Sequence, residues 1–116
     1  MEQCNIPRWQ LIKGMHNNLS LEDFVQGYQK DENALCLDVR TKQEYDFWHL
    51  PDAINFDYLS KTLADDLEKL PENKTYYIYC RTSRRSLRVC QLMRNMGFKE
   101  IYHLDDGVKD HIQEKA

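Results

Sequence analysis

The sequence has no long hydrophobic run. Its apolar stretches end after a handful of residues, whereas a membrane-crossing helix needs about 20. The opening residues, MEQCNIPRWQLIKG, lack a continuous apolar core and a small-residue cleavage site, so no secretory leader is expected. The expected location is the cytoplasm, where thiols stay reduced, so Cys4, Cys36, Cys80 and Cys90 are read one by one rather than as bridges. No Cys-x-x-Cys pair is present and the cysteine spacing matches no zinc pattern. His16, His49, His103 and His111 are scattered, and no metal site is expected. Internal repeats and low-complexity tracts are also missing. The net charge of −3 on 116 residues argues against general attraction to nucleic acid or anionic membrane.

What remains is an ordinary globular composition, 41% apolar and 30% charged, in a chain long enough for one hydrophobic core and too short for two. We read residues 1–16 as a lead-in and 17–116 as a single domain. After the polar stretch Asn17–Ser20, Leu21, Phe24, Val25 and Tyr28 fall at helical spacing, predicting a helix that ends near Lys30. The apolar run Ala34–Val39 predicts a buried strand. Thr41 and Glu44 form a capping box for a second helix, and Ala53–Phe56 is a short strand beyond Pro51. Leu59, Leu63, Leu67 and Leu70 predict a third helix stopped by Pro71. Thr75–Tyr79 reads as a central strand, residues 80–85 as a polar, basic turn followed by a helix that runs to about Met96 and is closed by Gly97, and Glu100–Leu104 as a last strand. Residues 108–115 are assigned a closing helix. Alternating strands and helices imply an α/β fold, a mostly parallel sheet of about five strands with helices on both faces. In such folds the reactive groups gather at the carboxyl edge of the strands.

Cys80 stands at that edge, between a strand and a helix. Backbone N–H groups at the helix start, together with the helix dipole, favour negative charge there. Arg81, Arg84 and Arg85 add positive potential. A cysteine in such surroundings is a candidate nucleophile. The plainer alternative, a small apolar residue closing a strand, fits Cys36 well and Cys80 poorly. Arg88 and Arg94 are read as a solvated helix face, and Cys90 as packing.

The segment Cys80-Arg81-Thr82-Ser83-Arg84-Arg85-Ser86 resembles the active loop of the rhodanese family, Cys-Arg-x-Gly-x-Arg-Ser. Three further stretches are similar to that family in the right order: Leu37-Asp38-Val39-Arg40 with Glu44-Tyr45, His49 to Asn55, and Leu104 to Val108. The likeness runs from about residue 17 to 108. It implies a sulfurtransferase that carries sulfur as a Cys80 persulfide and transfers it in two steps. The donor would be a small anion such as thiosulfate, and the acceptor cyanide or a thiol of thioredoxin or glutathione type. No cofactor is implied. Residues 81–85 would hold the sulfur through their amides, with Thr82 and Ser83 inside the loop and Arg81 and Arg84 facing incoming anions. Arg85 would tie the loop to a buried carboxylate, Asp38 or Glu44. Asp38, Arg40, Glu44 and Ser86 are assigned supporting roles. If the thiol is already ionised, no general base is required, so His49 and His103 are read as core or surface histidines.

Four positions where the family usually carries glycine hold Trp48, Asp52, Ser83 and Asp106. Ser83 matters most: a left-handed backbone there would cost about 1 kcal/mol, although its hydroxyl is available to cap the helix. Asp105 and Asp106 would weaken attraction for a dianion. Two rival functions remain. A cysteine phosphatase or arsenate reductase would keep five residues between cysteine and arginine; here four separate Cys80 from Arg85. A non-catalytic binding module of the same fold is disfavoured by the retained cysteine. The short, arginine-rich loop favours thiosulfate over mercaptopyruvate, and nucleic-acid binding has no aromatic interleaving to support it.

Overall fold

A computed structural model describes residues 16–110. Five parallel strands, β1 (Asn17–Leu19), β2 (Ala34–Asp38), β3 (Ile54–Asn55), β4 (Thr75–Tyr79) and β5 (Ile101–Leu104), form one sheet in the order β1-β5-β4-β2-β3. Four helices connect them: α1 (Leu21–Lys30), α2 (Lys42–Phe47), α3 (Leu63–Glu68) and α4 (Arg84–Asn95). Side-chain alternation along the central strand divides the core in two. Tyr76 and Ile78 of β4 point to a cluster with Leu67 of α3 and Val89, Cys90 and Met93 of α4. Tyr77 and Tyr79 point the other way, to Phe24 and Tyr28 of α1 and to Leu50 and Ala53. Both faces are thus covered, as a parallel sheet requires.

The helix starts follow from local chemistry. The Ser20 hydroxyl accepts from the Asp23 N–H at 3.3 Å. Thr41 and Glu44 make the expected reciprocal capping box. Gly97 closes α4 with φ +108. Three expectations change. The polar stretch Asn17–Leu19 forms an edge strand, because its backbone pairs with β5 and the Asn17 amide donates to the Ile101 carbonyl at 3.1 Å. The third helix is shorter than its leucine stripe: the Asp57 carboxylate accepts from the Leu59 N–H at 2.8 Å and holds that end in a turn, leaving Leu59 exposed. Finally, residues 108–110 are turn and bend rather than helix; the rest of the closing helix, like residues 1–15 of the lead-in with Cys4, lies outside the described residues.

Parallel pairing brings the carboxyl ends of β2, β4 and β5 to one edge. Cys80 follows β4, Asp38 and Arg40 close β2, and the turn at residues 105–107 follows β5. Among the described residues no helix is long and apolar enough to cross a membrane. Among them, too, no group of His, Cys, Asp or Glu is placed to hold a metal ion.

Candidate active site

The loop from Cys80 to Ser83 folds back over its own cysteine. The Ser83 and Ser86 N–H groups donate to Cys80 Sγ at 3.1 and 3.3 Å, and Sγ itself lies 3.2 Å from Ser86 Oγ. Two amides and a hydroxyl at the start of a twelve-residue helix favour a negatively charged sulfur. Cys80 is 1% exposed and lies at a cavity of about 250 Å³ lined by Arg40, Glu44, Arg81, Thr82 and Arg85. Three guanidinium groups against one carboxylate suit a small anion.

The tight loop has a conformational cost. Ser83 takes φ 92, ψ −25, the left-handed region, and its hydroxyl makes no capping bond. Asp52 and Asp106 are also left-handed, with φ 62 and 64, whereas Trp48 is extended at φ −169. Three of the four substituted glycine positions therefore keep a glycine-like backbone. The loop retains its shape and Ser83 carries the strain, rather than capping the helix.

The turn after β5 holds the loop from below. Val108 and Lys109 donate to the Cys80 and Arg81 carbonyls at 3.1 and 3.0 Å. This approach requires Gly107, at φ +71, because a Cβ there would lie 2.7 Å from the Thr82 nitrogen and collide with the Arg81 carbonyl.

Asp38 and Arg40 form a buried pair. The Asp38 carboxylate accepts from Arg40 Nη2 at 2.9 Å and from the Tyr79 hydroxyl at 2.6 Å. Arg40 also donates to the Trp48 carbonyl and lies 5.7 Å from the Trp48 ring. Burial opposes the charge on Arg40, but the hydrogen bond and the attraction of Asp38 outweigh it and raise its pKa. Tyr79 is pushed up by burial and by the Asp38 charge, and stays protonated.

The arginines differ from the expected arrangement. Asp38 is taken by Arg40, and Glu44 Oε1 accepts from the Thr41 N–H and hydroxyl at 3.0 and 3.1 Å. Arg85 instead lies over the Tyr58 ring at 5.3 Å. Arg84 opens α4 with an exposed side chain and does not line the cavity; Arg40 and Arg85 do so beside Arg81. The amides on the sulfur are those of Ser83 and Ser86, so Ser86 belongs to the cradle itself.

The loop, its clamp and the β2 pair now stand at one sheet edge, and comparison with known proteins identifies their family. The rhodanese-like domain model matches residues 20–114. The chain belongs to the rhodanese-like domain family. Among its rhodanese-like relatives, the putative sulfur carrier protein YrkF of Bacillus subtilis is 33% identical over 92 residues. That match covers 79% of this chain, which spans about half (49%) of YrkF. A protein named sulfurtransferase in Allochromatium vinosum is 26% identical over 81% of this chain and 86% of its own length. A rhodanese-like domain protein structure from Staphylococcus aureus shares the fold, with TM-score 0.69 and 20% identity over 86% of this chain and 99% of that one.

Sequence reasoning missed one member of the site. His103 is fully buried, with Nε2 2.6 Å from Ser86 Oγ, and its Nδ1 lies 2.9 Å from Asn18 Oδ1. A polar residue in the short last strand was the available signal, since buried polar groups need partners. The other two buried cysteines stay thiols. Burial pushes up the pKa of both, aided for Cys36 by Asp38 and for Cys90 by Cys80.

Proposed function

We propose that this rhodanese-like domain is a sulfurtransferase that accepts sulfane sulfur on Cys80 as a persulfide and passes it to a thiol or cyanide. The observation that carries this reading is the cradle around Sγ: two N–H donors and a hydroxyl at the start of α4, opening to a small cavity with three arginines. With thiosulfate as donor, the Cys80 sulfur attacks the outer sulfur. A new S–S bond forms, the donor's S–S bond breaks, and sulfite leaves with the electron pair. The Ser83 and Ser86 amides stay on Cys80 Sγ, while the terminal persulfide sulfur faces the cavity, where Arg81, Arg85 and Arg40 attract the incoming and departing anions. The acceptor thiolate or cyanide attacks that terminal sulfur, and Cys80 leaves as the thiolate.

Similarity to the putative sulfur carrier protein YrkF and to the Allochromatium sulfurtransferase supports sulfur handling in general. Thiosulfate as the donor is favoured by the size of the cavity and its positive lining. Steady-state kinetics with thiosulfate and cyanide test the mechanism. Parallel double-reciprocal lines are expected for a covalent intermediate, and intersecting lines would contradict it.

A further inference from the structure

His103 has no part in the reaction just proposed, yet it is joined to the nucleophile. The pairing Ile78↔His103 places it on the β4–β5 face beneath α4, two residues from Cys80 along the neighbouring strand. A continuous hydrogen-bonded chain runs from Cys80 Sγ to Ser86 Oγ at 3.2 Å, from Oγ to His103 Nε2 at 2.6 Å, and from Nδ1 to Asn18 Oδ1 at 2.9 Å.

The far end sets the direction of that chain. The Asn18 Nδ2 donates to the His16 carbonyl at 3.0 Å, which turns Oδ1, an acceptor, toward the ring. Nδ1 therefore carries a proton in both charge states, and Nε2 is the nitrogen that gains or loses one. At the near end, the single Ser86 hydroxyl proton has two acceptors in reach, the Ser83 carbonyl at 3.0 Å and His103 Nε2 at 2.6 Å; the shorter contact is the one to Nε2, and the carbonyl keeps the Leu87 N–H as a donor at 2.9 Å.

The geometry points to His103 as a positioning residue for sulfur transfer, a proton acceptor that acts on Cys80 through the Ser86 hydroxyl. The inference rests on the sulfur-transfer reading of Cys80. With His103 neutral, the Cys80 S–H donates to Ser86 Oγ and the Ser86 O–H donates to Nε2. In the transfer, the S–H bond breaks and an Nε2–H bond forms, while Ser86 gives up one proton and receives another. Cys80 becomes a thiolate and His103 an imidazolium; nothing is oxidised or reduced. Every member still has a partner afterwards, because Nε2–H now donates to Oγ and the hydroxyl donates to the thiolate. When the persulfide yields its sulfur, the reverse path returns the proton to Cys80.

Among the described residues, the charged and titratable groups around this chain include Arg40, Glu44, Arg81 and Arg85 at the cavity, Cys90 and Arg94 on α4, His16 beside β1, and Asp105 and Asp106 just beyond β5. All remain in every variant below, so their effect is common to the series.

The test is the pH profile of Cys80 alkylation by iodoacetamide, followed by peptide mass on the full chain, with thermal melting as the folding control. Ser86→Ala and His103→Gln are expected to slow alkylation about tenfold on the acidic side of the profile, the effect of one charge-assisted hydrogen bond. Ser86→Thr restores the rate. Asn18→Asp, which places a carboxylate against Nδ1, moves the profile to lower pH, a change that a purely structural role would not give. If His103→Gln does not fold, Ser86→Ala and Asn18→Asp decide. Folded variants with profiles coincident with wild type overturn the inference. Alkylation needs no sulfur donor, so the two ideas fail separately. A displaced profile in a protein that takes up no sulfur keeps the proton path and ends the sulfur-transfer reading; sulfur uptake with coincident profiles does the reverse.

Discussion

Ser83→Gly should stabilise this protein, against the usual direction for a glycine substitution. Ser83 holds φ 92, ψ −25, a region that costs an L-residue roughly 1–2 kcal/mol. Its hydroxyl makes no cap hydrogen bond that would be lost, and the N–H that donates to Cys80 Sγ is kept. Glycine removes the steric cost and adds about 0.5–1 kcal/mol of backbone entropy in the unfolded chain. The net gain is about 0.5–1 kcal/mol, which raises the melting temperature by roughly 2–6 °C for a domain of this size. Differential scanning calorimetry of wild type, Ser83→Gly and Ser83→Ala separates the causes. Alanine keeps the strain and removes the hydroxyl, so it should melt at or below wild type. A glycine variant that melts at or below wild type, or an alanine variant that melts above wild type, would refute the reasoning that backbone strain dominates here.

Other sites give further expectations. Gly107→Ala would drive a Cβ into the Arg81 carbonyl and strain a residue at φ +71, costing about 1–3 kcal/mol for the overlap and roughly 1 more for the backbone. Its lower melting point should come with altered Cys80 alkylation, because the clamp under the loop is displaced. Asp38→Ala leaves Arg40 buried without its carboxylate and the Tyr79 hydroxyl without its acceptor. A loss of about 3–5 kcal/mol is expected in urea unfolding. Cys36 and Cys90, both raised by burial, stay protonated at neutral pH. Alkylation followed by peptide mapping should leave them unmodified until the protein unfolds, even as pH rises through the ordinary thiol range.

Much of the fold was legible because its main elements carry their own local signals. The Thr41–Glu44 box, Gly97 and the apolar runs of β2 and β4 each produced the expected structure. β1 was hidden because Asn17 and Asn18 have little strand propensity; long-range pairing with β5 makes the strand. The third helix was over-extended because the leucine spacing does not reveal that Asp57 caps a turn in front of it. At the site, Cys80 and its loop were evident from their place between strand and helix. The partners of the arginines were not, since Asp38 lies equally near Arg40 and the loop in any strand diagram and only packing decides. His103 escaped for the same reason: its link to Ser86 joins residues on different elements.

The central claim is that Cys80 carries sulfur, and intact mass after incubation with thiosulfate tests it most directly. Wild type should gain the mass of one sulfur atom, lose it on addition of cyanide or a thiol, and show no gain in Cys80→Ser. A wild-type protein that stays unmodified with thiosulfate and with other sulfane donors would contradict the account and leave a binding role for the domain.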